Sequence, residues 1–104
     1  MISTERIDEL RSEVGAEDFG EIVDLFLTES DLLLNDLRAV ADPAAAEALL
    51  HSLKGSALNL GFVDLADLCE EGRATGISRD DWADRLTRIS EVYQMSRSRL
   101  ADLG

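Results

Sequence analysis

Residues 49–62 read LLHSLKGSALNLGF and contain the only histidine of the chain, His51, and its only lysine, Lys54. Leucines recur at helical spacing in this stretch, so it predicts a helix with one apolar side. Gly55 follows directly after Lys54, although a glycine inside a helix costs about 1 kcal/mol relative to alanine. A functional role for this position would explain why that cost is tolerated.

Outward from this stretch, the periodicity of apolar residues predicts five helices. They cover about residues 4–14, 17–41, 43–60, 62–74 and 79–103. Asp42 is expected to cap the third helix with Pro43 in its first turn, and Ser78 with Asp81 resembles a capping box before the fifth. Four helices are long enough to pair and their connections are short. The predicted fold is therefore all-α, an antiparallel four-helix bundle with a short additional N-terminal helix, in a single domain over residues 1–104.

Composition excludes several classes of partner and site. The 104 residues carry a formal net charge of -12, and such a surface repels nucleic acid and anionic membranes. The chain has only one cysteine, Cys69, and only one histidine, which argues against a zinc site. The spacing of a calcium-binding loop does not occur in the sequence. The sequence has no signal core and no run of about 20 apolar residues. We therefore expect a cytoplasmic protein.

The third helix separates into two sides at 100° per residue. The side expected to face the core holds Ala46, Leu49, Leu53, Ala57 and Leu60. The opposite side holds Ala44, Glu47, Ala48, His51, Lys54, Gly55 and Leu58. A lone exposed histidine is usually an ordinary surface residue, but here a lysine, an open glycine and a partly apolar strip accompany it. This combination indicates a functional site and not an ordinary solvent-exposed surface.

The chemistry open to such a site is limited to accepting and passing on a group. A neutral imidazole is a good nucleophile at cellular pH, and an ammonium group one helical turn away can pair with a phosphoryl oxygen. A helix surface offers no pocket that excludes water and no oxyanion hole. The electrostatic stabilisation that phosphoryl transfer requires must therefore come from a partner.

The motif H-x-L-K-G-S-x-x-x-L-G at residues 51–61, followed by LADLCEE, resembles the histidine-containing phosphotransfer (HPt) domain of bacterial multistep phosphorelays. It is also similar to the N-terminal phosphotransfer domain of chemotaxis histidine kinases. The motif match covers about 25 residues, and the predicted helices are compatible with the family over nearly the whole chain.

The resemblance implies a role for several residues of the third helix. His51 would carry the phosphoryl group on Nε2, Lys54 would stabilise that group, and Gly55 would leave room for a docking receiver domain. Leu58 and Ala48 would belong to the docking surface, together with part of the second helix. The partners would be a response-regulator receiver domain and a histidine kinase, and the receiver would bring the Mg²⁺. We expect this chain to bind no cofactor or metal itself and to be a monomer.

The sequence departs from the family pattern at Arg73. Four residues after the cysteine the family often has Glu or Gln, which can hydrogen-bond the histidine ring. We hypothesise that Arg73 instead adds positive charge near phosphorylated His51.

Two other functions are compatible with parts of the sequence. A helical module could dock a receiver or a kinase without being phosphorylated, although such a binder would not need His51. A small hydrolase using His51 is disfavoured, because neither Ser52 nor Ser56 has a base positioned as a triad requires.

Overall fold

The structure is a computed structural model that describes the backbone of residues 2–75 and 79–103 and the side chains of residues 2–74 and 81–102. Apart from one isolated bridge between Ile2 and Phe62, the regular structure in these ranges is helical. The helices are α1 (Thr4–Val14), α2 (Ala16–Ala39), α3 (Pro43–Asn59), α4 (Val63–Thr75) and α5 (Arg79–Leu103). The all-α prediction is confirmed. The capping box predicted at Ser78 lies outside the described residues.

The connection between α2 and α3 fixes where the site-bearing helix begins. The Asp42 side chain accepts a hydrogen bond from the Ala44 backbone N–H, and Pro43 occupies the first turn. Both features match the predicted cap. Helix α2 ends at Ala39, two residues earlier than predicted, because Val40 and Asp42 are extended, and Asp42 precedes a proline.

A sharp corner between α3 and α4 ends the same helix. Gly61 sits there with φ +72°, in the left-handed region that favours glycine. Its carbonyl accepts a 2.7 Å hydrogen bond from the Ser3 N–H, and the Arg6 guanidinium donates to the Asn59 carbonyl. The start of α1 is thereby fastened to the end of α3, which holds the corner in place.

The hydrophobic core lies between helices that pack against one another. Helix α3 packs against α2 and α4, α5 packs against α4 and α2, and α1 packs against α2. The fully buried side chains include Leu37, Leu53, Leu65, Ile89 and Tyr93. Leu50, which is not among the residues predicted to face the core from α3, and Leu27 of α2 are also buried. Both belong there because α3 and α2 are covered on more than one side, so their apolar stripes are wider than a two-helix seam.

A partly buried polar cluster joins α2 to α5 at the edge of this packing. The Tyr93 hydroxyl lies 2.7 Å from Asp31 Oδ1, and Arg97 Nη1 donates to both Asp31 carboxylate oxygens at 3.1 Å. Burial, with the Asp31 hydrogen bond and charge, raises the Tyr93 pKa well above its usual value. Ser30 and Ser96, which directly precede Asp31 and Arg97 in the sequence, are buried on the same two helices.

No helix within the described ranges combines the length and the apolar character that a membrane crossing needs.

Candidate functional site

Helix α3 exposes one continuous strip through its middle, which we call the α3 strip. Ala48, His51, Gly55 and Leu58 are exposed on it, and Lys54 is partly exposed. Leu58 is 49% exposed, so it adds apolar surface to this strip. All five residues were predicted on this side of the helix from the sequence.

Gly55 leaves open space on the α3 strip. A Cβ built at this position would meet nothing within 4 Å outside its own helix. The backbone is helical there, so an alanine would fit without strain. Packing inside this chain therefore gives no reason for a glycine at position 55.

A chain of ion pairs runs from the α3 strip onto α4. Lys54 Nζ donates a 3.0 Å hydrogen bond to Glu70 Oε2, and Arg73 Nη1 donates to the same oxygen at 3.0 Å. The hydrogen bond and charge of Lys54, with a contribution from Arg73, hold the pKa of Glu70 below its usual value. We refer to this arrangement as the Lys54–Glu70–Arg73 chain. It fixes where the only lysine side chain of the protein points.

Arg73 also reaches back to α3. Its Nη2 lies 3.9 Å from Glu47 Oε1, and Glu47 is four residues before His51 on the same face. Within the described ranges no hydrogen bond joins Arg73 to the imidazole, and its buried Nε has no partner. Leaving a buried donor unpaired costs about 1–3 kcal/mol. The hypothesis that Arg73 adds charge at His51 stays a prediction, and in this structure that charge is shared by two glutamates.

The close approach of α4 to its neighbours depends on Gly72. A Cβ at this buried position would lie 3.2 Å from Leu50 Cδ1 and 3.3 Å from Arg85 Cδ. The absence of a side chain at Gly72 thus leaves room for these two side chains.

Cys69 takes no part in the exposed site. It is fully buried, and its burial raises the pKa of the thiol to about 12.

The arrangement at His51 is that of an accessible nucleophile without assisting groups. In the part of the chain that the structure describes, His51 makes no hydrogen bond to a carboxylate or to a serine, as a hydrolase would require. No group of three or more potential metal ligands is clustered among the described residues. An exposed imidazole beside an ammonium group can accept a phosphoryl group from a partner that supplies the rest of the chemistry.

Sequence reasoning missed Glu70. It follows the singled-out Cys69 directly, but its importance depends on how α4 is rotated against α3. The exposed leucines of α2, Leu25 and Leu32, were also not singled out. Their spacing of seven residues on the outer face of the helix was the available signal.

The chain matches a known protein family over most of its length. The family model described as the Hpt domain matches residues 21–99, about three quarters of the chain. The match contains all of α3 and α4 and leaves α1 outside. A search of curated proteins and a search of solved structures each gave no significant match.

Proposed function

This chain belongs to the HPt domain family, and on that premise we propose that it carries a phosphoryl group on His51 between aspartates of receiver domains, or from a histidine kinase to such an aspartate. Members of the family take part in phosphorelay phosphotransfer as carriers and have no active site of their own. Their partners are phosphorelay receiver and kinase proteins. The identity of the acceptor residue and the direction of flow belong to the proposal.

In the proposed step, the lone pair of His51 Nε2 attacks the phosphorus of the aspartyl phosphate in the receiver. A P–N bond forms, the P–O bond breaks, and its electron pair leaves with the receiver aspartate as a carboxylate. The proton on Nδ1 stays on a phosphoimidazolium ion or passes to water. Onward transfer is the reverse reaction with a second receiver. The receiver's acidic pocket and its Mg²⁺ stabilise the charge on the transferring group.

The other residues of the α3 strip have supporting roles in this proposal. Lys54 pairs with the phosphoryl oxygens, as an ammonium group does with a phosphate. Gly55 lets the receiver approach the helix, while Ala48 and Leu58 form part of its docking surface. The exposed leucines of α2 would extend that surface. Arg73 would tune the charge at its edge.

The finer features of the fold are part of the same proposal. Helices α2 to α5 would form an antiparallel four-helix bundle within a single domain over residues 1–104, with α1 as the additional helix. The ring of packing contacts from α2 through α3, α4 and α5 back to α2 supports this arrangement. The monomeric state, the cytoplasmic location and the absence of a cofactor bound by this chain remain predictions.

The observation that carries the proposal is the exposure of His51 next to Lys54 and an open Gly55 on a helix anchored by its opposite face. A docking module that is never phosphorylated could use the same apolar strip. It would have no use for the histidine or for an ammonium group held one turn away.

The proposal can be tested by phosphoryl transfer in solution. The purified protein is mixed with Mg²⁺ and a receiver domain carrying ³²P-labelled aspartyl phosphate. We expect label on this chain that is stable in alkali and lost in acid, as an N–P bond requires. Because His51 is the only histidine, phosphohistidine can form nowhere else.

The control variant is His51→Gln. A phosphorylated lysine would share the lability of phosphohistidine, and Lys54 is the only lysine, so Lys54→Met is tested in parallel. We expect label on Lys54→Met and none on His51→Gln. If the wild-type protein takes up no label from several receivers and kinases but binds one of them stably, the docking module is favoured instead.

A further inference from the structure

The Lys54–Glu70–Arg73 chain engages the ammonium group of Lys54 before any phosphoryl group arrives. Lys54 Nζ lies 3.0 Å from Glu70 Oε2, and Arg73 Nη1 is equally close to that oxygen. Lys54 is three residues after His51 on the α3 strip, so its ammonium group can reach either Glu70 or a group attached to the imidazole. The same cation therefore has two possible anionic partners.

Binding of Lys54 to Glu70 and binding of Lys54 to a phosphoryl group on His51 affect each other. A phosphoryl group on His51 carries up to two negative charges, and acceptors bound to one ammonium group lie only a few ångströms apart. A carboxylate in that position repels the phosphoryl group and competes for its cation. Glu70 is ionised at neutral pH, since its pKa is lowered. It is 48% exposed, so screening by water weakens this repulsion but does not remove it.

On the basis of the proposed function, we infer that Glu70 is a positioning residue for phosphoryl transfer. It holds the Lys54 ammonium group in the unphosphorylated protein and competes with phosphorylated His51 for it. The competition raises the free energy of the phosphorylated form and so favours onward transfer to a receiver.

Arg73 gives Glu70 a second cation when Lys54 turns to the phosphoryl group. Its guanidinium pairs with Glu70, which is on α4, and also lies near Glu47, which is on α3 beside the α3 strip. The exchange therefore leaves no unpaired carboxylate behind, and phosphorylation would require only the Lys54 side chain to move.

The test measures how the phosphoryl group distributes at equilibrium between this chain and a receiver domain. Labelled protein and receiver are mixed with Mg²⁺, and the ratio of the phosphorylated HPt protein to the phosphorylated receiver is measured for the wild type and for each variant. We expect Glu70→Gln to raise the ratio roughly two- to fivefold, as for the loss of one partly exposed charge interaction. Glu70→Asp, which keeps the charge, should restore the ratio to within about twofold of the wild type.

A matched control separates this role from a general effect of charge. Asp67→Asn removes one negative charge from an exposed position of α4, one turn before Glu70. We expect it to leave the ratio within about twofold of the wild type. A ratio raised equally by Asp67→Asn and Glu70→Gln would overturn the inference.

A double-mutant cycle tests whether Glu70 acts through Lys54. In a Lys54→Met background, Glu70→Gln should change the ratio less than in the wild type, because the contested cation is gone and only the screened repulsion between the carboxylate and the phosphoryl group remains. An undiminished effect would contradict the inference, as would an unchanged ratio in Glu70→Gln alone. If the wild type takes no label on His51, the proposed function itself fails, and this outcome is distinct from a labelled wild type that Glu70→Gln leaves unaltered.

Discussion

Replacing Gly55 with alanine should stabilise the protein and impair it at the same time. The added methyl group meets nothing within 4 Å outside the helix, and the backbone is already helical. An exposed helical Gly→Ala change is worth about 1 kcal/mol, partly because the unfolded chain loses freedom. For a domain of this size, we expect the thermal midpoint to rise by about 4 °C.

The cost of the same change should appear only when a receiver docks. A methyl group forced into a fitted interface costs about 1–3 kcal/mol. This corresponds to a fall of about five- to 150-fold in the second-order rate constant for phosphoryl transfer to Gly55→Ala. Stability and transfer would then change in opposite directions, which a general defect in folding cannot produce.

The matched control is Gly20→Ala. Gly20 is also exposed inside a helix, α2, and an added Cβ there also meets nothing within 4 Å. We expect a similar gain in thermal midpoint with an unchanged transfer rate. Thermal unfolding followed by circular dichroism and transfer from a labelled receiver measure the two quantities. Equal transfer rates for the two variants would refute the idea that Gly55 leaves room for the receiver. A lowered thermal midpoint for Gly55→Ala would show that a methyl group does not fit at position 55 without strain.

Three further outcomes can be measured. Cys69, whose pKa is raised to about 12 by burial, should react with a thiol reagent such as 5,5′-dithiobis(2-nitrobenzoate) only after unfolding, and fast labelling of the native protein would contradict its burial. Gly61→Ala should lower the free energy of unfolding in urea by about 1–3 kcal/mol, since φ is +72° and the new Cβ would lie 2.7 Å from the Ser3 carbonyl oxygen; an unchanged midpoint would rule out that clash. The lowered pKa of Glu70 means that its pairing stabilises the fold above the unfolded-state pKa and is lost as the pH falls through the lowered value. The thermal-midpoint advantage of the wild type over Glu70→Gln should therefore shrink as the pH falls from 7 to 3, and an advantage independent of pH would exclude this linkage.

The signals that predicted the helices are local ones. Asp42 and Pro43 mark the start of α3 by capping and by a fixed φ, and Gly61 marks the corner after it by its left-handed backbone. The two sides of α3 follow from the angle per residue alone, so the exposure of His51 and Gly55 could be predicted without knowing any neighbour.

Features that depend on the relative placement of two helices could not be predicted in this way. Glu70 pairs with Lys54 only because α4 is rotated to bring that side chain to the edge of α3. Gly72 makes room for Leu50 and Arg85, and nothing in the sequence of α4 alone indicates that these two side chains lie against it. Leu50 lies between the two sides of α3 when the residues are projected around the helix axis. It is buried because α3 packs against both α2 and α4.

The fastening of α1 to the corner after α3 bears on the order of assembly during synthesis. The Ser3 N–H bonds to the Gly61 carbonyl, 58 residues further along the chain. Chains are made from the N-terminus at about 5–20 residues per second, so α1 exists for several seconds before its docking site has been translated. A helix of 11 residues is marginal in water on its own. The segment that is synthesised before the other helices can therefore complete its native contacts only after α3 and the corner beyond it have formed.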